Sequence, residues 1–146
     1  MGHDLMKRDI DEEVYMLQCD FKRYNGINRS IKRLREQIEE IDNKMMGMAG
    51  KGYDGVPGTQ GNPYSEKKNY YIGEKSRLKM RLKKELITLN LLNYYLNLMN
   101  PDERKIIEDY YIKRRTLTTT GDYNNYSKSG IEKRIKRILK KVLNEI

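Results

Sequence analysis

The chain carries a run of cations at helical spacing near its end. Lys128, Lys133, Arg134, Lys136, Arg137, Lys140 and Lys141 are opposed there only by Glu132 and Glu145. Ammonium and guanidinium groups at this density neutralise phosphates, and they can also donate to base edges. Ile131, Ile135, Ile138, Val142 and Ile146 recur among them every three or four residues. That spacing predicts one helix with a buried apolar face and cations on the others. Ser127 or Ser129 can cap it, and Ser129-x-x-Glu132 fits a capping box. Lys113-Arg114-Arg115 forms a second cationic cluster upstream. Groups for covalent or acid–base chemistry are scarce. His3 is the only histidine and Cys19 the only cysteine. Gln18 and Asp20 beside Cys19 do not activate a thiolate. The densest acidic cluster, Glu36, Glu39, Glu40 and Asp42, has the spacing of salt bridges on a helix exterior. The expectation is therefore a protein that is not an enzyme and has no catalytic site, metal site or cofactor.

Composition points the same way. The 146 residues carry a net charge of +9 with a pI near 9.5, which suits an anionic partner such as nucleic acid. The charge is uneven: residues 1–50 carry net −1, while residues 51–100 and 101–146 each carry +5. Charged residues make up 35% and mean hydropathy is −0.93, so long helices sharing a narrow seam fit better than one thick core. A lone cysteine allows no internal disulfide and suits a reduced, cytoplasmic setting. The greasiest window, 86–99, is interrupted by Thr88, Asn90, Asn93 and Asn97, so no membrane span is expected.

The elements that must position the cations are legible as periodic runs. Ile10, Leu17, Tyr24, Ile31, Ile38 and Met45 recur every seven residues from Asp9 to about Met48. A second row accompanies them: Val14 and Phe21 first, then Ile27, Leu34, Ile41 and Met48. It changes sides at Asn25-Gly26, which predicts one long helix with a shifting seam or two helices meeting at a kink. Six glycines and the triplets Gly55-Val-Pro-Gly58-Thr-Gln-Gly61-Asn-Pro then predict a flexible loop at about 47–64. A second long helix is expected from Ser65 to Met99, with Leu78, Leu82, Leu89, Leu92 and Leu96 among its seam residues. Two such helices and one loop form an antiparallel, coiled-coil-like hairpin over residues 1–99. Its apolar content after Leu86 exceeds what one partner helix can cover, so this end should also pack the C-terminal part or a second chain. Asn100-Pro101 ends that helix, and Pro101-Asp102-Glu103 opens another whose core face is Ile106, Ile107, Tyr110 and Tyr111.

From Asn100 onward this order of elements resembles a helix-turn-helix of the sigma-factor region 4 type. The whole chain, with its long helix, Gly/Pro loop and Leu-rich helix ahead of that unit, resembles phage-encoded regulators of the ArpU/RinA type. Ile106, Ile107 and Tyr110 match the core of the first region-4 helix, and Leu117 the opening of the short second helix. Gly121 falls where the family has a small residue at a close helix crossing. Asn125 stands where glycine is usual, Ser127 matches the cap, and Ile131 and Ile135 match the buried face. The sequence departs from the pattern at Thr118, Thr119 and Thr120, which replace Glu-Glu-Ile, and at Asn124, which replaces an apolar residue; threonine runs and glycine are poor helix formers.

The resemblance implies an all-α protein with a hairpin at 1–99 and a DNA-binding unit at 100–146. Its function would be that of a phage or prophage transcription regulator, an activator of late genes. Its partners would be double-stranded DNA and host RNA polymerase, and the heptads suggest a homodimer. Lys128, Ser129, Gly130, Glu132 and Lys133 would then face base edges. Lys113, Arg114, Arg115, Arg134, Lys136, Arg137, Lys140 and Lys141 would hold phosphates. The oligomer or hairpin seam would be Ile10, Leu17, Tyr24, Ile31 and Ile38 against Leu78, Leu82, Leu89, Leu92 and Leu96. The alternatives are a helical adaptor that binds RNA polymerase or another protein without DNA, and a small packaging subunit of the terminase kind.

Overall fold

A computed structural model describes residues 8–49 and 63–145. The fold is all-α. Its helices are α1 (Ile10–Lys22), α2 (Tyr24–Ala49), α3 (Pro63–Leu98), α4 (Pro101–Ile107), α5 (Leu117–Asn124) and α6 (Lys128–Asn144). A π-helical turn, Glu108–Ile112, extends α4. No described helix is long and apolar enough to cross a membrane. Most of the stretch expected to be a glycine-rich loop lies outside the described residues. At its edges α2 stays helical through Ala49, and α3 begins at Pro63 rather than at Ser65. Proline suits such a start, because the first helical N–H has no partner to lose.

The long N-terminal pattern resolves into two helices that meet at Arg23, two residues before the expected shift. Asp9 caps α1 by accepting the Glu12 N–H at 3.1 Å. Among the described residues the chain forms two compact units, one within Met1–Gly26 and Thr88–Ile146 and the other within Ile27–Ile87. The division expected at 99/100 is thus a helix boundary, not a unit boundary. The expected seam splits accordingly. Ile10, Leu17, Tyr24, Leu89, Leu92 and Leu96 belong to the first unit, and Ile31, Ile38, Leu78 and Leu82 to the second.

In the second unit Leu34, Ile41 and Leu78 are buried together, flanked by Ile38, Met45, Tyr71 and Leu82. Lys75 Nζ meets Asp42 Oδ1 at 2.5 Å, and Lys44 lies 6.0 Å from the Tyr71 ring centroid. Residue numbers fall along α3 as they rise along α2, so the two segments run antiparallel.

In the first unit α6 is the central element. Ile131, Ile135, Ile138, Leu139, Val142 and Leu143 are all buried, and α1, α4 and α5 pack against this helix. Val14, Leu17 and Phe21 form the buried face of α1. Phe21 stacks on Tyr111 with ring centroids 5.6 Å apart. Asn25 donates to the Ile112 carbonyl at 2.8 Å, and Tyr24 Oη to Asn93 Oδ1 at 2.7 Å. The apolar surplus at the end of α3 is partly used here, since Leu92, Tyr95, Leu96 and Met99 are buried.

Helix α5 forms despite its three threonines. Thr116 caps it, its Oγ1 accepting the Thr119 N–H at 3.1 Å. Tertiary packing supplies what propensity does not: Thr120 and Gly121 are buried. A Cβ at Gly121 would lie 2.5 Å from the Tyr126 carbonyl oxygen, so this site accepts only glycine without movement. The close approach is to the backbone of the following turn. Asn125 ends α5 in the left-handed region (φ 63°), which asparagine tolerates better than most residues.

Gly121→Ala is expected to lower stability by about 1–3 kcal/mol in chemical denaturation, the cost of overpacking. Gly73→Ala, at an α3 position with nothing within 4 Å of the new methyl, should instead raise stability by about 0.5–1 kcal/mol. Thr120 is buried with its hydroxyl unpartnered. Thr120→Val keeps the shape and removes that hydroxyl, and should raise the unfolding free energy by about 1 kcal/mol.

Candidate nucleic-acid interface

Helix α6 starts at Lys128, capped by Ser127, whose Oγ accepts the Gly130 N–H at 3.1 Å. The Ser129–Glu132 capping box does not form, because Ser129 already lies inside the first turn. Gly130 has a local reason to be glycine: a Cβ there would approach the Ser127 Oγ to 2.9 Å. Of the expected base-reading residues, Lys128, Ser129, Glu132 and Lys133 are exposed and Gly130 is half-buried against the cap.

The expected phosphate ligands fall into two groups. Lys136, Arg137 and Lys140 are exposed on α6 and make no ion pair among the described residues, and Arg114 is likewise exposed and unpaired. At 100° per residue, Lys133, Lys136, Arg137 and Lys140 share the side of α6 away from its buried face. The other four cations are committed to two buried carboxylates. Glu103 is 1% exposed, and its Oε2 lies 3.3 Å from Lys141 Nζ and 3.7 Å from Arg134 Nη2. Asp109 is 0% exposed, with Arg115 at 3.2 Å and Lys113 at 3.5 Å from its Oδ1. Its other oxygen accepts from Asn124 Nδ2 at 3.1 Å. Arg115 also lies 3.8 Å over the Tyr123 ring.

Glu103 has a further task. Its carboxylate accepts the Asn100 N–H at 3.0 Å while Asn100 Oδ1 accepts the Glu103 N–H at 2.8 Å. This capping box starts α4, and the same carboxylate draws Arg134 and Lys141 of α6 onto it. Sequence reading found the Pro101 start but not the box, although Asn100-x-x-Glu103 is its signature. No local sequence signal marked Asp109, since its partners lie 4, 6 and 15 residues away.

No protein-family model, curated protein or solved structure matches this chain.

Sequence reasoning placed α1 in the hairpin and missed its packing on α6. It lies along α6, with Arg8 donating to the Leu143 carbonyl at 2.8 Å. Asp11, Val14, Tyr15 and Gln18 of α1 line a groove together with Lys136, Arg137 and Lys140 of α6. Tyr111, in the π-helical turn behind α1, is buried, and that burial holds its hydroxyl well above the usual tyrosine range.

Asp109→Ala leaves Arg115 and Asn124 without their shared acceptor and should lower the unfolding free energy by about 2 kcal/mol. Asp109→Asn should lose less, because it keeps an oxygen acceptor. Circular dichroism during denaturant titration measures both.

Proposed function

We propose that this chain is a double-stranded-DNA-binding transcription regulator that presents α6 to the major groove, α5 and α6 acting as a helix-turn-helix. One observation carries the reading. Lys133, Lys136, Arg137 and Lys140 form an exposed, ion-pair-free row on a helix whose other side is fully buried. Lys113, Arg115, Arg134 and Lys141, by contrast, pair with Glu103 or Asp109. What favours the α6 row as phosphate ligands is its density on one exposed side of one helix. The three-residue turn, the left-handed Asn125, the Ser127 cap and the close approach at Gly121 are in keeping with the region 4 type of motif. With the resemblance of the whole chain to ArpU/RinA-type regulators, this favours a phage or prophage activator of late genes.

In this reading Lys128, Ser129, Glu132 and Lys133 lie in the first turns of α6, the part that reads bases in such motifs. Arg134 and Lys141 act first as braces on Glu103.

A second reading, contact with another protein, is favoured by Leu91 (44% exposed) and Tyr94 (49% exposed) of α3. These apolar residues remain uncovered after the C-terminal unit has packed. A homodimer or a polymerase contact would cover them, and such a contact is compatible with DNA binding.

Lys133→Glu combined with Arg137→Glu should weaken binding to random duplex DNA on the order of a hundredfold at 0.1 M salt, with helicity unchanged. Unchanged affinity in a gel-shift titration would sink the DNA reading. Arg134→Glu should instead act mainly through stability, because it opposes Glu103.

A further inference from the structure

Lys22 lies outside every role given above. It lines a shallow pocket with Tyr110 and Tyr111 of the π-helical turn and with Arg114 and Arg115. No carboxylate lines this pocket. Arg115 is held by Asp109, whereas Lys22 and Arg114 are exposed and make no ion pair among the described residues. Arg114 is in the left-handed region, φ 58°, where a residue with a side chain is strained. Backbone bonds fix the turn on both sides of it. The Lys113 N–H donates to the Glu108 carbonyl at 2.8 Å, and the Arg115 N–H to the Asp109 carbonyl at 3.0 Å. A left-handed residue after the last turn is a common way to end a helix, and here it fixes where Arg114 emerges.

The pocket lies on the same side of α1 as the groove bordering α6. Asp11, Tyr15, Gln18 and Lys22 follow one another at spacings of 4, 3 and 4, which is one face of a helix. Asp11, Tyr15 and Gln18 border Lys136, Arg137 and Lys140, and Lys22 borders Arg114. The face is about 16 Å long at 1.5 Å per residue. Unpaired cations therefore stand along α1 at two places, contributed by α6 at one and by the turn before α5 at the other.

We infer that Lys22 and Arg114 together hold a backbone phosphate of duplex DNA, making α1 a second wall of the nucleic-acid interface. The inference rests on the DNA-binding reading of α6 and adds to it a contact from the N-terminal helix. Arg114 supplies the guanidinium from a fixed turn, and Lys22 the second charge from α1.

The test uses the full chain, random-sequence duplex DNA and a salt series from about 50 to about 200 mM. Lys22→Gln and Arg114→Gly remove the two charges. Glycine accepts a positive φ freely, so Arg114→Gly should keep the thermal midpoint of the parent or raise it. The double variant should show a log-affinity versus log-salt slope smaller in magnitude by about 0.9, the signature of one lost phosphate. An unchanged slope in a folded variant overturns the contact while leaving DNA binding by α6 in place. A parent protein that fails to bind duplex at the lowest salt overturns both readings. If Arg114→Gly unfolds, Lys22→Gln alone must reduce the slope for the inference to stand. Inorganic phosphate titrated against the free protein separates a free-anion site. Saturable binding that Lys22→Gln abolishes, with the DNA slope unchanged, assigns the pocket to a free anion and overturns the inference.

Discussion

Two carboxylates buried six residues apart, Glu103 and Asp109, organise the C-terminal unit. A buried carboxylate costs several kcal/mol unless cations and donors surround it. Each of these has both. Glu103 closes the capping box at the start of α4 and draws in Arg134 and Lys141 of α6. Asp109 accepts from Asn124 near the end of α5 and pairs with Lys113 and Arg115 in the turn before it. One acid therefore fixes α6 against α4, and the other fixes α5 against the same stem. Asn124, which stands where the resembling family has an apolar residue, is the donor that Asp109 requires.

This arrangement divides the cations by task. Net charge alone would count Arg134, Lys141, Lys113 and Arg115 as equal to Lys133, Lys136, Arg137 and Lys140. Each buried acid offsets one positive charge and draws two cations toward it, so these four are partly engaged. What remains on α6 is Lys128 at its start and a row on its outer side. That row is the basis of the proposed DNA-binding function, and its position depends on the apolar face from Ile131 to Leu143 being buried by α1, α4 and α5.

The N-terminal third is part of the proposal as well. Its net charge of −1 argues against a nucleic-acid role, yet α1 packs on α6 and brings Lys22 beside Arg114. Total charge over fifty residues averages the acidic helix start, Asp11 to Glu13, with the basic helix end, Lys22 and Arg23. The average hides a polarity that matters once the helix is docked.

Local patterns in the chain specify all the helices but α5, and most of their ends. Heptad spacing marked α1 to α3, Pro101 marked α4, and the cap and isoleucine period marked α6, because these are local interactions within a few residues. Ser127 was legible as one of two candidate caps for the same reason, whereas Gly121 and Asn125 were read from the family resemblance, which placed Gly121 at a helix crossing rather than against the Tyr126 carbonyl. Packing made Leu117–Asn124 helical, for its propensity argues otherwise and the burial of Thr120 and Gly121 outweighs it. It also decided where the seam divides, sending Leu17, Leu92 and Leu96 to the first unit. A seven-residue repeat specifies that a face is apolar but not which partner covers it. Likewise, no local pattern could sort the cations into braces and free charges. That choice depends on where Glu103 and Asp109 come to lie, and Glu103 meets its α6 partners across 31 and 38 residues of chain.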